Sequence, residues 1–143
     1  MKFWDSSAVV PCCVIEPRSH LIKEILQDDQ EMIVWWATRI ECLSALFRLV
    51  REGVLHDREE EMAQVVLQKL AETWREILPT QMVRETAERL LAVHPLRTAD
   101  ALQLSAALIG AGKNPRGHLF VCLDKGLRVP ARKEGFTLLP ADL

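Results

Sequence analysis

The chain has 143 residues, with 18 Lys and Arg against 20 Asp and Glu and a formal net charge of −2. That length predicts one ordinary domain, 1–143, with a real core. The charge excludes bulk electrostatic adhesion to nucleic acid or to an anionic membrane, though not a local basic rim around a cleft. The four cysteines, Cys12, Cys13, Cys42 and Cys122, form no Cys-x-x-Cys pair. Neither a disulfide framework nor a zinc site is expected, and reduced thiols in a cytoplasmic protein are the default. Met-Lys-Phe-Trp-Asp places a carboxylate where a signal peptide needs an apolar run. No apolar stretch approaches the ~18 residues of a membrane span, so no membrane association is expected.

In chain order, "KFW" reads as a short buried strand ending in a polar turn, Asp5-Ser6-Ser7. Pro11 and Pro17 interrupt the segment after that turn. Ser19 to Asp28 has helical spacing through Leu21, Ile22, Ile25 and Leu26. "MIVWWA" (Met32–Ala37) is a continuous apolar run, as for a strand buried on both faces. Thr38 to Arg51 is a helix whose apolar stripe is Ile40, Leu43, Leu46, Phe47 and Val50, with Gly53 past its end. Asp57 opens a longer helix to about Trp74. Its "DREEE" start matches the helix dipole on a solvated face.

"EILPT" predicts a short strand, and Gln81 to His94 a helix closed by Pro95. Leu96 to Gly112 is an apolar helix carrying Asp100 in its first turn. "HLFVCL" (His118–Leu123) is a strand ending at Asp124, and "GFTLLP" (Gly135–Pro140) a final short strand. There is no repeat, linker or low-complexity segment. Strands alternating with helices predict an α/β fold with a mainly parallel sheet.

Four carboxylates stand out in that framework. Asp5 and Asp124 each directly follow an apolar strand; Glu41 and Asp100 each lie in the first turn of an apolar helix. In open parallel sheets, ligands bind outside the carboxyl ends of the strands, and helices that follow strands begin at that edge. The four acids are therefore expected to converge on one cleft. Like charges that close raise each other's pKa unless a cation sits among them. Oxygen ligands without His or Cys suit Mg²⁺ or Mn²⁺. Each acid also has a local reading. Asp5 or Ser6 caps the next segment, "TRIE" is a capping box for Thr38 and Glu41, Asp100 matches the helix dipole, and Asp124 sits in a "DKG" turn. The histidines, His20, His56, His94 and His118, show no ligand spacing, and no Gly-rich phosphate loop is present.

On "WDSSAVV", "ATRIECLSALFR", "LRTADALQLSAAL" and "FVCLDKGLRVPARKEGF", the chain resembles the PIN-domain ribonucleases, in particular the VapC-type toxins of toxin–antitoxin pairs. The resemblance spans essentially the whole chain. It implies a three-layer α/β/α domain with a mainly parallel sheet, endoribonuclease activity on RNA, a homodimer and a small antitoxin partner. It also implies a Mg²⁺ or Mn²⁺ site in which Asp5, Glu41 and Asp100 hold the metal and Asp124 assists directly or through water. Cys122 stands two residues before the fourth acid, where family members often carry Thr or Ser. Ser7, and after it Ser6, are candidates to orient a ligand or water. Arg97, Lys125 and Arg128 flank the expected cleft and are candidates for RNA phosphates.

Two other phosphoryl chemistries fail on residues. A haloacid-dehalogenase-type enzyme needs Asp-x-Asp after the first strand, where this chain has Asp5-Ser6-Ser7. A phosphoacceptor receiver domain needs paired acids there. The remaining alternative is a catalytically weak PIN-like module that acts through a protein partner.

Overall fold

The computed structural model describes residues 1–29 and 31–143. Its strands are β1 (Lys2–Trp4), β2 (Met32–Trp35), β3 (Arg75–Ile77), β4 (Leu119–Val121) and β5 (Thr137–Leu139). Its helices are α1 (Ser6–Cys13), α2 (Ser19–Gln27), α3 (Thr38–Arg51), α4 (Asp57–Thr73), α5 (Gln81–Val93), α6 (Thr98–Gly110) and α7 (Lys125–Glu134). Every strand pair is parallel, and the sheet order is β3-β2-β1-β4-β5.

The alternation of side chains along each strand divides the core into two layers. Phe3, Ile33, Trp35 and Phe120 face one side, where they pack with Val83 and Leu90 of α5, Leu104 and Leu108 of α6 and Leu127 of α7. Trp4, Met32, Val34 and Val121 face the other side. There they meet Val9 of α1, Ile22 of α2, Leu46 of α3 and Leu67 of α4. Phe3, Phe120 and Phe136 form a row, with ring centroids 5.4 Å apart at each step. The result is an α/β/α sandwich around a parallel sheet.

The structure corrects the sequence expectations at several places. The polar turn after β1 and the "DKG" turn after β4 are both helix starts. Asp5 caps α1 by accepting the Ser7 N–H, and Asp124 caps α7 by accepting the Gly126 N–H. Each helix then tolerates a proline at its sixth residue, Pro11 and Pro130. Proline there removes one helical hydrogen bond. Both prolines are buried, so packing outweighs that loss. The α3 stripe is also narrower than its sequence pattern. Thr38, Cys42 and Leu46, four residues apart, are buried, while Ile40 and Phe47 are exposed. The strand expected to run to Ala37 ends at Trp35, and Trp36 sits in the exposed turn beyond it.

Candidate active site

The sheet changes direction at β1: β2 lies on one side of it and β4 on the other. The crevice at the carboxyl ends of β1 and β4 is where such a fold binds ligands. Asp5 sits in that crevice because its N–H continues the sheet, donating to the Val121 carbonyl at 3.0 Å. Its Oδ2 accepts the Ser7 N–H at 3.1 Å. Across the crevice, Asp124 Oδ1 accepts the Gly126 N–H at 2.8 Å. Both acids are thus helix caps, each oriented by the start of the helix that leaves its strand.

Glu41 and Asp100 arrive from the first turns of α3 and α6. The capping box expected at Thr38 and Glu41 does not form. The N-cap of α3 is Ala37, with no side-chain cap bond, and Thr38 is buried within the helix. Glu41 is bonded instead to α6, where Gln103 Nε2 donates to its Oε1 at 2.5 Å and to Thr38 Oγ1 at 3.0 Å. Asp100 Oδ2 faces Arg97 Nε at 3.4 Å, and the same guanidinium lies 3.8 Å from Asp124 Oδ2. All four carboxylate residues line one cleft of about 1190 Å³, together with Ser6, Ser7 and Arg97. Beyond the acids the lining turns apolar, through Val10, Val14, Ile40, Leu49 and Val54.

Electrostatics set the buried acids apart from the rim, where Arg97 offsets Asp100 and Asp124. Burial pushes the Asp5 carboxyl up to about 6, helped by the like charges of Asp100 and Asp124 and opposed by hydrogen bonds from Ser7. Glu41 is pushed up to about 7, again by burial first. Gln103 opposes that shift, while Asp5 and Asp100 add to it. Asp100 is raised by burial and by Asp124, against Arg97. Such acids are neutralised by protons or by a cation. The donor set is all oxygen, as Mg²⁺ or Mn²⁺ prefers. Beside Glu41, Gln103 Oε1 is a buried acceptor without a partner. The chemistry of the residues therefore fits a hard cation. Among the described residues, no three His, Cys, Asp or Glu side chains stand gathered around one point as ligands.

The remaining candidates separate. Ser7 Oγ accepts the Leu123 N–H at 2.9 Å and donates to Cys122 Sγ at 3.7 Å, so it clamps α1 to the end of β4. Ser6 lines the cleft. Cys122 Sγ lies within reach of two acceptors for its one S–H, Asp5 Oδ2 at 3.7 Å and the Asp124 carbonyl at 3.5 Å. The thiol meets the carboxylate of Asp5, the first acid, and only the backbone of Asp124, the fourth. Burial drives its pKa up, with the Asp5 charge adding to the effect. Arg97 is at the rim, 83 % exposed at its side chain, and Lys125 is exposed at the start of α7. Arg128 is not at the rim. It is buried and donates to the carbonyls of Cys122 (2.7 Å) and Pro140 (2.6 Å), because the backbone at the ends of β4 and β5 needs donors there.

Sequence reasoning missed Gln103 and took Thr38 for a helix cap, where it is an acceptor for Gln103. The available signal was a lone amide in "ALQLSAALIG", three residues and so almost one helical turn after Asp100, on the same face. The four cysteines are free thiols. Among the described residues, no helix is long and apolar enough to cross a membrane.

No family model and no curated protein sequence matches the chain. Among solved structures, the crystal structure of FitAcB from Neisseria gonorrhoeae is similar to it, with a TM-score of 0.68 and 12 % sequence identity. The likeness covers 99 % of this chain and 98 % of that one. At that identity the likeness is one of architecture, and the chain has a PIN-like three-layer α/β/α fold.

Proposed function

We propose that the protein is a metal-dependent endoribonuclease acting as the toxin of a toxin–antitoxin pair. The observation that carries this reading is the cleft: Asp5, Glu41, Asp100 and Asp124, far apart in sequence, line one crevice at the carboxyl edge of a parallel sheet. The fold likeness to FitAcB supports the toxin–antitoxin reading at the level of architecture. Asp5, Glu41 and Asp100 would hold Mg²⁺ or Mn²⁺, and Asp124 has one oxygen left outside its cap to assist. Such a cation supplies a water of lowered pKa and neutralises charge on the scissile phosphate. Arg97 and Lys125 border the acids and suit RNA phosphates, which fix position rather than sequence.

A small antitoxin partner fits the same site. Arg97 already shows a guanidinium resting between Asp100 and Asp124, and a partner's Arg or Lys is attracted there in the same way. A homodimer is supported by apolar side chains left exposed on α3 and α4, among them Phe47, Met62 and Val65.

The deciding experiment is RNA cleavage by the purified protein. Single-stranded or looped RNA should be cut with Mn²⁺ or Mg²⁺ and left intact after EDTA. Full-rate cleavage in EDTA would overturn the metal-dependent reading. One observation favours a second reading, a PIN-like module acting through a protein partner: Arg97 already engages two of the four acids. Saturable Mn²⁺ binding without RNA cleavage would select it.

A further inference from the structure

Two helices of the acidic cleft carry paired polar residues three positions apart: Thr38 and Glu41 on α3, Asp100 and Gln103 on α6. Residues at that spacing share a helix face. Gln103 joins the two pairs. Its amide nitrogen has two hydrogens, and both are spent across the gap, on Thr38 Oγ1 at 3.0 Å and on Glu41 Oε1 at 2.5 Å. Gln103 is 1 % exposed, and its carbonyl oxygen is buried with no partner.

An orphaned buried acceptor is destabilising, and leucine would fill an apolar helix face without it. Packing alone therefore does not account for glutamine at this position. Glu41 supplies a reason. Its carboxylate hangs on a flexible stem in a cleft ringed by Asp5, Asp100 and Asp124. Unrestrained, like charge turns it away from them. A donor anchored in α6, the helix that carries Asp100, holds it in place.

We propose that Gln103 is a positioning residue, whose amide clamp on Thr38 and Glu41 fixes the Glu41 carboxylate relative to Asp100 for cation binding. This rests on the reading of the four acids as a cation site. Gln103 touches neither substrate nor cation. Partners of metal-ligating groups typically change metal affinity by about 10–100-fold when removed, and a change of that size is expected here.

The test uses the full chain and Mn²⁺ alone, with titration calorimetry on the parent, Gln103→Leu, Glu41→Gln and the double variant, beside metal-free melting curves. Gln103→Leu should weaken Mn²⁺ binding at least tenfold while the protein stays folded. In the Glu41→Gln background the same change should have no further effect on Mn²⁺. Parent-like Mn²⁺ binding by Gln103→Leu, with binding lost in Glu41→Gln, overturns the positioning role and leaves the cation site standing. Equal weakening in both backgrounds also overturns it, because Gln103 then acts on something other than Glu41. Parent-like binding by Glu41→Gln removes the cation site and the proposal together. Should Gln103→Leu not fold, Gln103→Asn, too short by one methylene to span both acceptors, carries the same comparison.

A metal-free readout completes the set. The Gln103 side-chain amide signals should exchange slowly with water in the parent and move in Glu41→Gln. Exchange as fast as that of an exposed glutamine overturns the clamp.

Discussion

Asp5 has two duties, and substitution separates them. Asparagine caps a helix as well as aspartate does, so Asp5→Asn keeps the start of α1 while removing a buried charge. The ionised Asp5 and Glu41 carboxyls are unfavourable in the metal-free protein, because their folded values of about 6 and about 7 lie above the ordinary 3.8 and 4.5. The folded state therefore binds more protons than the unfolded state between about pH 4 and pH 7, and stability rises as pH falls through that window. Above it the ionised acids destabilise the metal-free protein, Asp5 by something on the order of 2–3 kcal/mol and Glu41 by less, because part of its side chain faces water. We expect Asp5→Asn and Glu41→Gln to melt several degrees higher than the parent at pH 8, with the gap closing near pH 4. Both should lose Mn²⁺-dependent RNA cleavage. Stable variants that still cut at the parent rate would place the active site elsewhere.

Glu134 has the opposite sign. Arg89, 2.9 Å away, and then His94, 2.6 Å away, hold its carboxyl below the ordinary range. Its contribution is present above about pH 4.5 and lost as pH falls through its lower folded value. Glu134→Gln should lower stability by roughly 1–2 kcal/mol at neutral pH, with Arg89 half exposed and its share screened. Melting curves at pH 7 and pH 3 should show that difference shrink in acid.

At the level of elements, Arg128 is the polar anchor of α7. Arg128 leaves α7 to satisfy the carbonyls of Cys122 and Pro140, tying the helix to the chain just past β4 and β5. Arg128→Met keeps the aliphatic stem and removes the donors. It should be destabilising by about 2–4 kcal/mol, read as a fall in melting temperature, because buried acceptors are left unpaired. The same helix shows where sequence reading stops. The boundaries of α3 follow directly from periodicity, and α5 and α6 lie within two residues of theirs, because their apolar spacing and their flanking Thr80, Pro95 and Gly112 agree. For α1 and α7 the signals conflict. Pro11 and Pro130 oppose a helix locally, and the burial that overrides them involves the whole sheet. The acids were legible because their place at strand ends and first helical turns is a local pattern. The Gln103 clamp was not, since it joins residues 62 positions apart. Nor was the inward turn of Arg128, because a basic residue near a strand end reads equally well as rim.

For the whole molecule, the exposed apolar side chains of α3 and α4 bear on assembly. Ile40, Phe47, Met62 and Val65 are more than a third exposed, on two helices that pack against each other. Light scattering at micromolar concentration should give about twice the 16.3 kDa chain mass, and Phe47→Asp should shift the protein toward the monomer. A parent that stays monomeric across that range would remove the homodimer.

β1 lies at the centre of the sheet, yet its neighbour β4 begins only at Leu119. A ribosome making this chain has therefore supplied Asp5, Glu41 and Asp100 before the strand that closes the crevice exists. Until Leu119–Val121 has emerged, the crevice lacks its β4 wall and its fourth acid, Asp124. On the proposed function, a chain interrupted before Leu119 is expected to cut no RNA, which the Mn²⁺ cleavage assay on a truncated protein checks.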